Sequence, residues 1–203
     1  MRREAAVILP RAVLFDMDGT LTAPMLDFPL IKREMGIGSR PILEALAEME
    51  AGERVAAEAV LLRHEERAAA ESSLNAGCHE LLRWLLARDV PTALITRNSR
   101  LSVNTVLARH GLSMNVVVAR EDAPPKPDPE PLRLACRSLG VREDEAWMVG
   151  DGQYDVEAGI AAGIKTVWVS HGRERPFPAR PWRTVASLCD VADLLAQAGP
   201  PNS

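Results

Sequence analysis

The chain has 203 residues, of which 47% are hydrophobic and 26% are charged. This length predicts one domain, or one domain with a sizeable insertion, and the composition excludes disordered and collagen-like chains. The 24 basic and 28 acidic residues give a net charge of -4, which offers no electrostatic basis for binding nucleic acid or an anionic membrane.

The sequence predicts no membrane span, no secretory signal and no cysteine motif. No apolar run approaches the roughly 20 residues needed to span a bilayer, and the first residues lack the apolar stretch of a secretory signal. The three cysteines, Cys78, Cys136 and Cys189, are widely spaced and form no CxxC pair that would suggest zinc or redox chemistry. We therefore expect a cytoplasmic protein that does not engage membranes.

The first predicted strand, residues 12–15, is a short apolar run that ends at Asp16. Residues 22–76 follow without a convincing strand, and Val55, Ala59 and Leu62 recur there at helical spacing. This segment contains ten acidic and six basic residues and so carries the whole net charge, because the remaining chain has 18 of each. We predict a small all-helical domain over 22–76, inserted after the first strand into a main domain formed by 1–21 and 77–203.

Beyond this insertion, short apolar runs alternate with amphipathic helical stretches. Strands are predicted at 93–95, 116–118, 147–149 and 166–169, and a proline-rich exposed loop at 174–182. Strands that alternate with helices of about ten residues are typical of βαβ units. The sequence therefore predicts an α/β fold with a Rossmann-like parallel sheet and helices on both faces.

Polar residues follow four of the predicted strands, where ligands bind in open α/β sheets. In chain order these are Asp16-Met17-Asp18-Gly19-Thr20, Thr96-Arg97-Asn98, Lys126 within a loop, and Gly150-Asp151 through Asp155. Carboxylates that converge from two strands repel each other unless a cation lies between them, and oxygen ligands with open positions suit Mg²⁺. We therefore predict one bound Mg²⁺.

These four motifs, in this order, resemble those of the haloacid dehalogenase superfamily, in its phosphoglycolate phosphatase-like branch with a helical cap. The resemblance covers about residues 12–169. It implies a Rossmann-like main domain and a cap formed by 22–76, which we call the cap segment. It also implies a Mg²⁺-dependent phosphatase that hydrolyses a small phosphorylated metabolite through an aspartyl-phosphate.

The resemblance also implies roles for individual residues. Asp16 would be the nucleophile, and Asp18 would protonate the leaving alcohol and then activate water. The metal would be held by the Asp16 carboxylate, the Asp18 backbone carbonyl and the Asp151 side chain, and Asp155 would orient a metal water or Lys126. Thr96 and Lys126 would complete the catalytic set, and phosphate contacts are expected from Met17, Asp18, Thr96, Arg97, Asn98 and Lys126.

Several alternatives remain open from sequence. A phosphomutase keeps both aspartates and differs mainly in the cap, and a non-catalytic phosphate-binding regulator would keep the fold. A dehalogenase would not need Asp18, and a metal-binding DxD of a glycosyltransferase would leave Lys126 and Asp151 unexplained.

The substrate is not specified by the cap segment. Phosphoglycolate-type relatives often have an Asp-Ser pair after the first motif, whereas here Leu21 is followed by Thr22-Ala23-Pro24, which argues against phosphoglycolate itself. Lys32, Arg33 and Arg40 are candidates for contacting an anionic leaving group. Hinges for cap movement are expected near 20–23 and 75–77.

Overall fold

A six-stranded sheet forms the centre of the protein in a computed structural model that describes residues 7–199. Every neighbouring pair of strands is parallel, in the order β3-β2-β1-β4-β5-β6. This arrangement confirms the predicted α/β parallel sheet. The strands are β1 (Ala12–Phe15), β2 (Thr92–Ile95), β3 (Val116–Val118), β4 (Ala146–Gly150), β5 (Lys165–Val169) and β6 (Arg183–Val185).

Eight α-helices occur within residues 7–199, together with a short 3-10 turn at Glu143–Glu145. No described helix is both long enough and apolar enough to cross a bilayer. The helices are α1 (Phe28–Glu34), α2 (Ile42–Glu48), α3 (Ala51–Glu71), α4 (Cys78–Leu86), α5 (Arg100–His110), α6 (Glu130–Leu139), α7 (Gln153–Ala162) and α8 (Leu188–Ala196).

Both faces of the sheet are buried under helices. Successive strand residues point to opposite faces, so Val13 and Phe15 of β1 join one apolar cluster while Ala12 and Leu14 join the other. The first cluster contains buried residues of α4, α5 and α8, and the second contains those of α6 and α7. This explains why the strands are continuous apolar runs and not alternating ones.

The strand order places a topological switch point beside β1. β2 and β3 lie on one side of β1, whereas β4, β5 and β6 lie on the other. Ligands of such sheets bind beyond the carboxyl ends of the strands at this point. Asp16 follows β1 and Asp151 follows β4, so the fold brings both aspartates to the switch point.

The cap segment is helical, as predicted, and has an apolar cluster of its own. Helices α1, α2 and α3 lie between β1 and α4, and their buried residues include Ile31, Ile42, Leu46 and Leu61. Helix α3 contributes to this cluster early in its length and to the first sheet cluster through Ala69. Treating 22–76 as a separate domain remains a prediction.

The two chain crossings between the cap segment and the sheet run side by side. Thr22 and Leu74 form an antiparallel bridge, and the Asn75 side-chain amide donates to the carbonyl oxygens of Gly19, Thr20 and Thr22 at 2.8–3.2 Å. The predicted hinges therefore lie in a short, hydrogen-bonded ribbon. Whether they move remains a prediction.

Two local features differ from the sequence expectation. Strand β6 was not predicted, because it has only three residues and just one of them, Val185, is strongly apolar. The proline-rich loop before it is irregular and mostly exposed, as expected, but Phe177 is buried there. Its ring packs edge-on against Trp168 with a centroid distance of 5.4 Å, which holds the loop over the end of β5.

Candidate active site

A buried lysine lies at the centre of the candidate site. The Lys126 ammonium donates to Asp16 Oδ1 at 2.7 Å, to Asp155 Oδ1 at 2.6 Å and to the Ile95 carbonyl at 2.7 Å. The residue is 2% exposed. An ammonium has three N–H donors, and all three are engaged here. Lys126 therefore orients the two carboxylates directly, and a phosphoryl oxygen would have to displace one of these acceptors to receive a hydrogen bond.

Burial and charge oppose each other around this lysine. Burial lowers the pKa of Lys126, but the carboxylates of Asp155 and Asp16 outweigh burial, and the net direction is upward. Burial raises the pKa of Asp16 well above its usual value, and the charges of Asp155 and Asp151 add to this, while Lys126 opposes it. A single ammonium thus does not neutralise the local negative charge.

Three carboxylates converge beside Lys126. One oxygen from each of Asp16, Asp151 and Asp155 lies within 4.8 Å of the others. Gly19 makes this approach possible, because its backbone is left-handed (φ +79°) and a Cβ there would overlap the Asp151 carboxylate. Oxygen donors and unbalanced negative charge fit a hard divalent cation such as Mg²⁺.

Asp155 is already fixed by two hydrogen bonds. Its Oδ1 accepts from Lys126, and its Oδ2 accepts from the Gly152 backbone N–H at 3.0 Å near the start of α7. Both oxygens are therefore used within the protein. The expected orienting role of Asp155 stays a prediction, and its hydrogen bond with Lys126 is the contact on which that role rests.

Asp151 is held from the loop that follows β5. Arg173 donates to Asp151 Oδ2 at 3.0 Å, and the Trp168 indole N–H donates to the Asp151 backbone carbonyl at 2.8 Å. Burial raises the pKa of Asp151, Asp155 raises it further, and Arg173 opposes both. In the same loop, His171 Nε2 lies 2.6 Å from the Gly19 carbonyl, so this histidine contacts the first motif.

Asp18 is partly buried and is held by two side-chain hydrogen bonds. Asn98 donates to its Oδ2 at 2.5 Å, and the Thr22 hydroxyl donates to its Oδ1 at 3.3 Å. Burial raises the pKa of Asp18, although these two hydrogen bonds act in the opposite direction. The expected phosphate contact Asn98 therefore also positions the expected acid.

The side chains of Thr96 and Met17 lie in different surroundings. The Thr96 hydroxyl is buried and lines the cleft, where its oxygen accepts from the Asn98 backbone N–H at 3.1 Å. The Met17 side chain instead lies in the apolar core, and its carbonyl accepts from Thr20 and Thr22. Any phosphate contact from Met17 must therefore come from its backbone.

Arg97 connects the sheet loops to the cap segment. Its guanidinium donates to both Glu44 carboxylate oxygens, at 2.9 and 3.0 Å, and to the Lys126 carbonyl. It also stacks on the Tyr154 ring at 4.3 Å. The Arg97 guanidinium is therefore engaged by protein partners, and the phosphate contact expected from Arg97 stays a prediction.

One cleft of about 670 Å³ gathers the predicted residues. Of the three cap cations considered, Lys32 lines this cleft, whereas Arg33 and Arg40 do not; Arg40 instead bonds Glu48 and the Ile37 carbonyl. The predicted residues that line the cleft are Asp16, Asp18, Thr96, Arg97, Asn98, Lys126, Asp151 and Asp155.

Comparison with known proteins agrees with this geometry. Residues 30–169 match the family model described as haloacid dehalogenase-like hydrolase. The chain belongs to this family. It is therefore a hydrolase of the haloacid dehalogenase type, as its strand-end motifs predicted.

Similar proteins span nearly the whole of this hydrolase. It is 31% identical to the phosphoglycolate phosphatase of Rhodospirillum rubrum, over 92% of this chain and 90% of that protein. It is also 31% identical to the N-acetylmuramic acid 6-phosphate phosphatase of Pseudomonas putida, over 82% and 85%. The fold is shared with a hydrolase from Pseudomonas syringae at TM-score 0.78 and 20% identity, over 93% and 99%.

Sequence reasoning missed several residues of this hydrolase's site. Glu44 and Glu65 come from the cap segment, Arg120 from the loop after β3, and Tyr154 from the first turn of α7. Arg173 carried a usable signal, since it lies shortly after β5 at the same sheet edge as the other motifs. Glu44 and Glu65 had none, because a charged residue on a predicted helix is usually solvated.

We expect the Arg97–Glu44 pair to couple the cap segment to the sheet energetically. In a double-mutant cycle of Glu44→Gln and Arg97→Met, the coupling in the free energy of unfolding should be about 1 kcal/mol, since the pair is bidentate and partly shielded from water. Urea unfolding measures it.

The matched control is the exposed Arg67–Glu71 pair on α3. Its cycle should give about 0.3–0.5 kcal/mol, as is usual for exposed helix pairs. Equal coupling in the two cycles would show that Arg97–Glu44 does no more than a surface ion pair.

Proposed function

We propose that this hydrolase is a Mg²⁺-dependent phosphatase that acts on a small phosphomonoester through an aspartyl-phosphate on Asp16. The observation that supports it most is the placement of Asp16 against the Lys126 ammonium, with Asp18 two residues along the same loop and Asp151 beside it. Phosphoryl transfer depends mainly on positioning and charge stabilisation, and these residues supply both.

In the first step, an Asp16 carboxylate oxygen attacks phosphorus and the bond to the leaving oxygen breaks. Lys126 donates a hydrogen bond to the other oxygen of that carboxylate, Oδ1, so the attacking oxygen is oriented before substrate binds. The Thr96 hydroxyl donates a hydrogen bond to a phosphoryl oxygen, while its own oxygen accepts one from the Asn98 backbone N–H. Asp18 gives its proton to the leaving alcohol.

In the second step, the Asp18 carboxylate takes a proton from water, which attacks phosphorus and releases orthophosphate from Asp16. Asn98 and Thr22 hold Asp18 in both steps. The cycle thus returns both aspartates to their starting states.

The metal would be held by Asp16, the Asp18 backbone carbonyl and Asp151, with Asp155 orienting Lys126. A bound Mg²⁺ supplies positive charge that stabilises the phosphoryl oxygens. The convergent carboxylates and the Gly19 conformation are what support this assignment.

We further propose that residues 22–76 are a cap domain that covers the cleft and excludes water. Its separate apolar cluster supports this, as does the fact that Lys32 and Glu65 line the cleft from the cap side. The names of the R. rubrum and P. putida relatives, both phosphatases, support the reaction class but differ in substrate.

Asp16→Asn should abolish hydrolysis of p-nitrophenyl phosphate, lowering kcat/KM by roughly 1,000-fold or more, because the amide is a poor nucleophile. In the unmodified enzyme, EDTA should remove activity and added Mg²⁺ should restore it. The assay follows released p-nitrophenol.

Asp193→Asn is the matched control, since it makes the same chemical change on an exposed face of α8 and should leave the rate unchanged. Full activity in Asp16→Asn would reject the nucleophile. Isomerisation of a phosphosugar without phosphate release would indicate a phosphomutase instead.

Asp18→Asn should lower kcat/KM more for esters with a poor leaving group than for esters with a good one. An alkoxide needs protonation as it departs, whereas p-nitrophenolate does not, and a general acid typically contributes about 10²–10⁴-fold. We expect kcat/KM to fall at least about tenfold more for ethyl phosphate than for p-nitrophenyl phosphate. Equal losses on both esters would reject Asp18 as the acid.

Lys126→Arg should lower turnover by about 100-fold or more, because a planar guanidinium cannot reproduce three short bonds from one tetrahedral nitrogen. The site is fully buried, so overpacking should also destabilise the fold by about 1–3 kcal/mol. Assays therefore run well below the Tm measured for the variant. Near-normal turnover would show that any cation suffices.

A further inference from the structure

The cleft has a polar floor and an apolar roof. The floor consists of the aspartates, Lys126, Thr96 and Asn98 at the strand ends. The roof comes from the cap segment, where the cleft is lined chiefly by apolar side chains, including Met25, Leu26, Phe28, Ile42, Leu43 and Leu61.

Two of these roof residues are unusually exposed for large apolar side chains. Met25 is 43% exposed and Phe28 is 51% exposed, and both line the cleft. Exposed apolar surface that is contiguous within a concave site is typical of ligand contact. On the sheet side, the rings of Tyr154, Trp168 and Phe177 extend the apolar lining beyond the floor.

Most charged side chains near the cleft form ion pairs with other residues of the protein. Arg97 pairs with Glu44, Arg173 pairs with Asp151, and Glu65 pairs with Arg120. Lys32 donates to the Ser39 backbone carbonyl at 3.3 Å and has no carboxylate within salt-bridge distance among residues 7–199. The roof therefore offers a single cation to an anionic leaving group, against a much larger apolar surface.

The volume fits more than a two-carbon leaving group. About 670 Å³ falls in the middle of the range of pockets that bury drug-sized ligands, which are lined mainly by apolar side chains with a few placed polar groups. A small charged group such as glycolate would leave most of this lining in water.

We propose that the substrates are phosphomonoesters whose leaving group carries an uncharged apolar portion, which lies against the roof residues Met25, Phe28 and Leu43 while the phosphate lies on the floor. This inference rests on the proposed phosphatase function, since the floor fixes the phosphate end. In this proposal, the cap segment selects substrates by the apolar portion of the leaving group.

The test is a series of straight-chain alkyl phosphates, from ethyl through butyl to hexyl, which share one leaving-group chemistry. With Mg²⁺ present, kcat/KM should rise about fourfold for each methylene that the roof covers. Phosphoglycolate should be poorer than hexyl phosphate. A flat or falling series, or a preference for phosphoglycolate that Lys32→Met removes, would overturn the proposal.

Phe28→Ser should reduce the hexyl-to-ethyl ratio of kcat/KM, because it removes apolar surface from the roof. Val55→Ser is the matched control, since Val55 is 68% exposed on α3 but does not line the cleft. An unchanged ratio in Phe28→Ser, or an equal fall in Val55→Ser, would contradict a roof contact.

Binding separates this proposal from the proposed function. Calorimetry on Asp16→Asn compares the Kd values of hexyl and ethyl phosphate without turnover. Tighter binding of hexyl phosphate by Asp16→Asn, together with no ester hydrolysis by the unmodified protein, would uphold the apolar roof and reject the phosphatase. If the unmodified protein hydrolyses the esters through Asp16, but ethyl and hexyl phosphate bind with equal Kd and have equal kcat/KM, the phosphatase would be upheld and the apolar roof rejected.

Discussion

The buried ion cluster around Lys126 is the interaction on which the site depends. Parallel strands end at one edge of the sheet, so the same topology that builds the fold also forces Asp16, Asp151 and Asp155 together. In a poorly solvated environment their mutual repulsion is costly. One ammonium, bonded to two of the three carboxylates, offsets part of it, and the remaining negative charge is what makes the place suitable for a divalent cation.

The parallel sheet and the residues at its strand ends could be predicted from the sequence, for a physical reason. Strands buried on both faces are continuous apolar runs, so their ends are marked by the first polar residue, as at Asp16 after β1. Since all the strands are parallel, their carboxyl ends lie at one edge of the sheet, where residues far apart in the chain can meet. Lys126 and Asp16 are 110 positions apart and in contact.

The remainder depends on packing that no local pattern encodes. The Arg97–Glu44 pair joins a sheet loop to a cap helix, and neither residue differs from the many arginines and glutamates that lie in water. The edge strand β6 is short and only partly apolar, so it is formed by pairing with β5 and not by its own propensity. The lining of the cleft likewise emerges only once α1, α2 and α3 are placed over the strand ends.

Helix α3 connects the cap segment to the sheet side of the protein. It begins among the cap residues, but Glu65 near its end accepts hydrogen bonds from Ser99 and Arg120, and Ser72 just beyond it contacts Arg109 and His110 of α5. The cap segment is therefore attached to the sheet side of the protein through the end of α3 as well as through its two chain crossings. A graft cut at residues 22 and 76 would place a foreign helix end against this α5, so a replacement of the cap segment preserves these contacts only where the helix is divided before Glu65.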